Sequence, residues 1–289
     1  MTMENTENKC WFILAHCFNM DGRAASQTIT DRIPYFLEKG ISPVVLSAPT
    51  GRRDHRFPHY QVFSAFPSGL LFEGRHIISR KFKTKITQKI LKSLLTLVLL
   101  PFYLLEVLII HFDSQWSWFI SAAVKGCGIV RKHKPGLLYS TAGPPSTHLA
   151  AFLLKKIYGL PWLAEIHDPL IYDKEPRKLQ YHYFKKWLEG IICRHADAVI
   201  YFTDRALECA QQRNNFKCKG HVLRPGAEPP AFSEVQYLKR DTIHFGHFGS
   251  LAANRNLKMF FQAIFELVEE NPPWQDFICV DIYGAELDS

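Results

Sequence analysis

The chain has 289 residues, 47% of them hydrophobic and 21% charged, a balance that suits one large globular domain or two modest ones with a sizeable buried core. Lys and Arg number 35 against 27 Asp and Glu, and the net charge of +8 favours an anionic partner: phospholipid, nucleic acid or a phosphorylated substrate. Seven scattered cysteines, none in a C-x-x-C pair, indicate neither a disulfide framework nor a zinc knuckle and fit a reducing compartment, the cytosol. The polar start, MTMENTENKC, lacks the basic-then-apolar run of a cleavable signal peptide.

Apolar strand-like runs alternate with helical periodicity, which predicts an α/β fold: a Rossmann-like, doubly wound parallel sheet covered by helices on both faces. The first strand is expected at Trp11 to Ala15, followed by a polar loop, Asn19 to Arg23, and a helix from Ala24 to Lys39 that Pro34 must kink or end early. Pro43 to Ser47 reads as the second strand, and Thr50 to Gly74, with Gly51, Pro58, Pro67 and Gly69, reads as irregular. Ser114 to Lys134 is helical, Leu137 to Ser140 a short buried strand, and Ser146 the N-cap of a helix that runs to Tyr158 and closes at Gly159 and Pro161. Trp162 to Ile166 is a strand, Leu179 to Arg194 a helix, Ala198 to Phe202 a strand ahead of a helix capped by Thr203, and His221 to Leu223 one more strand.

Residues 224–241 are rich in Pro and Gly without periodicity and read as a linker, so residues 1–223 form a first domain. Beyond the linker, residues 242–289 hold a strand at Thr242 to Phe248, a helix at Asn256 to Glu270 and a strand at Phe277 to Tyr283. This is the start of a second Rossmann-like domain, and a chain ending six residues after Tyr283 is expected to leave that domain incomplete.

Residues 75–112 stand apart. Arg75, Arg80, Lys81, Lys83, Lys85, Lys89 and Lys92 occur with no acidic residue among them, and an apolar run from Leu94 to Ile110 follows, broken by one charge, Glu106. Pro101 and Glu106 argue against a spanning helix. The basic-then-apolar order fits a helix lying in the interface of an anionic membrane, with a buried core helix as the plainer alternative. Nucleic-acid binding is disfavoured because the basic residues flank an apolar run rather than exposed aromatics.

No phosphate-loop motif, no G-x-G-x-x-G after the first strand, no H-E-x-x-H and no G-x-S-x-G occurs. What does occur is Tyr139-Ser-Thr-Ala-Gly-Pro-Pro-Ser-Thr-His148 followed by Gly159-Leu-Pro-Trp-Leu-Ala-Glu-Ile-His-Asp-Pro169. Together with Phe112-Asp-Ser-Gln-Trp116, Ala196-Asp-Ala-Val-Ile200 and Phe248-Gly-Ser-Leu251, this pattern resembles glycosyltransferase family 4, with His167 and Leu170 where relatives often carry Arg and Trp.

That resemblance implies a GT-B architecture, with an acceptor bound mainly by the first domain and a UDP- or GDP-sugar donor by the second. It also implies retaining transfer to a cell-envelope polysaccharide or lipid-linked acceptor, no cofactor and no metal. Strand ends in such sheets face the ligand crevice, so Gly22, Arg23 and Ser146 are candidate acceptor contacts. His167 is the candidate hydrogen-bonding group at the reacting oxygens, oriented by Asp168. Gly249, Ser250 and Arg255 are the candidate donor-diphosphate contacts. His16 and Cys17 have no partners at metal spacing and read as core or loop. The family's paired glutamates fall beyond the last residue, and the rival reading is a noncatalytic membrane-surface or acceptor-binding module derived from such an enzyme. A sugar-nucleotide epimerase or oxidoreductase would need the glycine fingerprint after the first strand.

Overall fold

The computed structural model describes residues 9–141, 143–171, 179–226, 241–251 and 256–284. The chain divides into two units, Met1–Glu228 and Pro229–Ser289. In the first, seven strands form one parallel sheet: β1 (Cys10–Leu14), β2 (Ser42–Ser47), β3 (His59–Gln61), β4 (Leu137–Ser140), β5 (Trp162–Ile166), β6 (Ala198–Tyr201) and β7 (Lys219–Val222), in the spatial order 3-2-1-4-5-6-7. The order reverses between β1 and β4, and ligand crevices of open α/β sheets lie at such a switch point.

Side chains alternate across a strand, and the two faces of the sheet can be read off that alternation. Phe12, Leu14, Val44, Leu46 and Leu138 enter one apolar cluster, which α4 (Trp118–His133) and α5 (Ser146–Tyr158) cover with Trp118, Ala122, Ala150 and Leu154. Ile13, Val45 and Tyr139 enter the other, covered by Ile29 and Ile33 of α1 (Ala24–Glu38). With both faces buried, the strands are apolar throughout, and each buried Leu, Ile or Phe contributes about 1.5–3 kcal/mol. Pro43 sits inside β2 without harm. The amide of Ser42 bonds β1, so the nitrogen of Pro43 faces the β3 side, where β3 has not yet begun to pair.

One expectation is narrowed and one corrected. α1 does not end at Pro34 but runs through it to Glu38, within a residue of the expected Lys39. The segment read as irregular up to Gly74 contains β3 and most of α2 (Pro67–Lys81). Pro67 occupies the first turn, where its missing N–H is no loss, and a Cβ on Gly69 would meet that of Ser64 at 2.3 Å, so both supposed loop signals serve a tightly packed helix start.

After a three-residue turn the chain returns along α2 as α3 (Lys85–Ile109), 25 residues long. It is the one helix among the described residues long and apolar enough to cross a membrane. It is not a core helix, since its large apolar side chains are exposed. Glu106 is its buried residue and explains the lone charge in the run: its carboxylate accepts from the amide and hydroxyl of Ser68, at 2.8 and 2.5 Å, and from Trp116 Nε1 at 2.6 Å. A carboxylate at the first turn of α2 also meets the positive end of that helix. On the far edge, α6 (Leu179–His195) and α7 (Asp204–Arg213) are joined by Glu189 to Arg213 and Asn214, and Thr203 caps α7 through Ala206 N, as expected.

The second unit pairs β8 (Ile243–Phe248) with β9 (Ile278–Tyr283) in parallel, linked through α8 (Lys258–Glu270) and a short 3-10 turn. It is the expected βαβ element. Most of the linker, residues 227–240, lies outside the described residues.

Candidate active site

The loops that follow β1, β4 and β5 lie side by side at the C-terminal edge of the sheet, because those three strands are neighbours. After β1, Gly22 adopts φ +73, a conformation that L side chains resist, and this turn delivers Arg23 to the N-cap of α1 in extended conformation. Gly22 and Arg23 line a cavity of about 630 Å³ together with Asn19, Asp21, Arg52 and Arg53. The Arg23 guanidinium stands 5.7 Å from the ring centroid of Phe72. The two loops of this cavity touch at Gly51, where any Cβ would fall 1.7 Å from the Phe18 carbonyl oxygen.

His167 follows β5. Its Nε2 lies 3.1 Å from Thr141 Oγ1 and 3.0 Å from Glu165 Oε1, and its ring stacks on Phe202 at 4.4 Å. Asp168, the expected orienting group, is exposed, and the carboxylate that holds the ring is Glu165. Strand alternation is the reason: residues 165 and 167 share a face and residue 168 does not. Both contacts fall on Nε2, and Nδ1 has no hydrogen-bond partner among the described residues.

Glu165 itself is fully buried and joins Arg32 of α1 and the Tyr139 hydroxyl as well as His167. Burial alone would raise its pKa, but the His167, Arg32 and Tyr139 contacts hold it below the ordinary carboxylate value. Tyr139 is pushed up, first by burial and then by Glu165. Neither Arg32 nor Tyr139 is singled out by the sequence reading. The available signal was a charge inside an otherwise apolar strand, which demands a partner.

Ser146 is the first residue of α5 rather than its cap; Pro145 holds that position. Its hydroxyl and that of Thr147 are buried without hydrogen-bond partners. His148 is structural: its Nδ1 lies 2.9 Å from Ser140 Oγ, which also accepts from Trp162 Nε1, and burial pushes its pKa down to about 4. His16 is fully buried, in agreement with the core reading, and lies against the turn at Gly143, 3.6 Å from where a Cβ there would stand. Burial by itself would lower its pKa, but Cys17 and the Glu73 carboxylate 3.5 Å away raise it to about 9.

In the second unit, Gly249 follows β8 at φ +150 and donates its amide to the Tyr283 carbonyl at 2.9 Å, with Ser250 next to it. Arg255 lies outside the described residues. Among the described residues no group of three or more His, Cys, Asp or Glu is arranged to hold a metal ion.

Sheet order, parallel pairing and helices on both faces define a Rossmann-like α/β fold. The chain is similar to the crystal structure of TarM, with a TM-score of 0.60 at 10% identity, covering 99% of this chain and 72% of that one. Sucrose-phosphate synthase from Thermosynechococcus elongatus (TM-score 0.49, 9% identity, 95% and 70% covered) and Anabaena HepE in complex with UDP-glucose (0.45, 13%, 95% and 68%) score lower and add nothing to it. At such identities the likeness is one of fold. No family model matches the chain, and no curated protein matches it in sequence.

Proposed function

We propose that the chain acts as a retaining glycosyltransferase of the family 4 kind, moving a sugar from a UDP- or GDP-sugar to a cell-envelope polysaccharide or lipid-linked acceptor at the cytoplasmic face of a membrane. The observation that carries this reading is His167, held by Glu165 at the C-terminal edge of a GT-B-type sheet, one strand away from the β1–β4 switch point. Nδ1 of His167 is suited to accept from a sugar hydroxyl, or to donate to a departing oxygen once protonated. Gly22 and Arg23 would bind the acceptor, Arg23 meeting a phosphate or carboxylate. Gly249, whose own amide is taken by Tyr283, would let the chain approach the donor diphosphate closely and Ser250 would donate to it, with Arg255 as its charge partner.

Calorimetric titration with UDP- and GDP-sugars, of this chain and of a version extended by any downstream coding sequence, tests the donor half of this reading, and binding of one of them by the extended form is the expected result. Binding by neither form sinks the transferase assignment and leaves a noncatalytic membrane-surface module. For the acceptor half, His167→Ala is expected to lower sugar transfer from a labelled donor to a cell-envelope fraction on the order of a hundredfold, with donor binding retained. Transfer at the parent rate would remove His167 from the mechanism.

A further inference from the structure

The α2–α3 hairpin carries a second feature that the transfer chemistry does not use. Along α3, Ile86, Ile90, Leu94, Leu97, Val98, Phe102 and Leu105 recur at spacings of three and four and are all more than half exposed. That spacing places them on one helical face. Lys85, Lys89 and Lys92 follow the same spacing one or two positions away, on a flanking face. They converge with Arg75 of α2 on a groove of about 790 Å³ that ends at Leu97 and Leu100. No Asp or Glu occurs between Glu73 and Glu106, so nothing local offsets these charges.

The hairpin is held flat. A Cβ on Gly74 would meet Leu95 at 2.5 Å, Arg75 Nη2 donates to Thr96 Oγ1 at 3.0 Å, and Glu106 binds Ser68 at the far end. A helix fastened along about half its length to the soluble unit cannot stand upright through a bilayer. It can lie in the plane with its apolar face down, its lysines then at headgroup depth.

We infer that the groove formed by Arg75, Lys85, Lys89 and Lys92 binds the phosphate of an anionic membrane phospholipid while the exposed face of α3 enters the acyl boundary. This deepens the membrane placement proposed above and rests on it, but not on the transferase reading. Charge complementarity selects the occupant: an apolar face bordered by an uncompensated basic row matches a surface that is greasy inside and negative at its rim. The Arg75 guanidinium, positioned by Thr96, supplies the directional contact, and the lysines act as point charges.

The test is co-sedimentation of the full chain with vesicles of phosphatidylcholine alone and of phosphatidylcholine mixed with phosphatidylglycerol. Binding to the mixed vesicles is expected. The triple variant Lys85→Gln/Lys89→Gln/Lys92→Gln should lose on the order of a hundredfold in affinity, at about 1 kcal/mol per basic residue near an anionic surface. A control with the same charge change on exposed lysines elsewhere, Lys39→Gln/Lys217→Gln/Lys219→Gln, should stay within a few-fold of the parent. Equal losses in both triples overturn the groove as a site and leave only diffuse attraction. Equal binding to both vesicle types, abolished by Leu97→Ser/Val98→Ser, leaves membrane contact standing and overturns the groove as a site for an anionic phospholipid. Displacement by millimolar inorganic phosphate beyond that by chloride of equal ionic strength would transfer the site to free phosphate. Absence of any vesicle binding, with α3 instead mediating a dimer in sedimentation, overturns both the site and the membrane placement.

Discussion

Replacing Glu165 by alanine is expected to destabilise the N-terminal unit by about 3–5 kcal/mol, the range for breaking a buried ion pair by removing one partner. Arg32, Tyr139 and His167 all meet this one carboxylate, so its loss leaves a buried phenol without its acceptor and a partly buried guanidinium with the Tyr139 hydroxyl but no counter-charge. In a unit of this size each kcal/mol moves Tm by about 2–4 °C, so a thermal melt of Glu165→Ala should show a drop of roughly 10 °C or more. The double variant Arg32→Met/Glu165→Gln, which removes the charges together, should recover most of that loss. Stability also acquires a pH signature. The folded pKa of Glu165 lies below its unfolded value, so its contribution is present above about pH 4.5 and is lost as pH falls through the folded value. That acid-side decline should flatten in Glu165→Gln. A single variant that melts within 2 °C of the parent would show that the pairing is not a net stabiliser.

Gly51→Ala is expected to be as damaging for a different reason. The added methyl would fall 1.7 Å from the Phe18 carbonyl oxygen and 2.7 Å from the Asn19 carbonyl oxygen, and a backbone group cannot swing aside as a flexible side chain can. Overpacking typically costs about 1–3 kcal/mol, and a backbone collision at this distance belongs at or above the upper end. The displaced segment is the one that carries Gly22 and Arg23 to the cavity. Acceptor affinity should therefore fall with stability, whereas donor binding, assigned to the other unit, should be retained in chain that remains folded. Wild-type Tm and acceptor affinity in Gly51→Ala would show that the two loops separate freely.

Much of the first unit was legible because its strands are buried on both faces and so read as short apolar runs between turn residues. β4, β5 and α5 fall within a residue of expectation, and Gly159 ends α5 at φ +67 as a helix-terminating glycine should. α2 was illegible because Pro67 and Gly69 carry loop statistics that yield, at a helix start packed against Ser64, to local sterics. In the candidate site, His167 directly follows β5 and Gly22 and Arg23 close the loop between β1 and α1, where alternation of strand and helix places them. The partner of His167 was misread because Asp168 is its neighbour in sequence while Glu165 is its neighbour in space.

The sequence by itself determined the alternation of elements, the apolar faces that make the sheet doubly covered, and the presence of a basic and apolar segment unlike the rest. These follow from local periodicity and from the burial that apolar runs demand. Tertiary structure alone decided which charges meet. Arg32 and Glu165, and likewise Ser68 and Glu106, are far apart in the chain, and a buried carboxylate takes whichever donors packing brings to it. It also decided that α3 stays outside the core, because its ties to α2 and its single inward carboxylate leave the apolar face with nothing among the described residues to cover it.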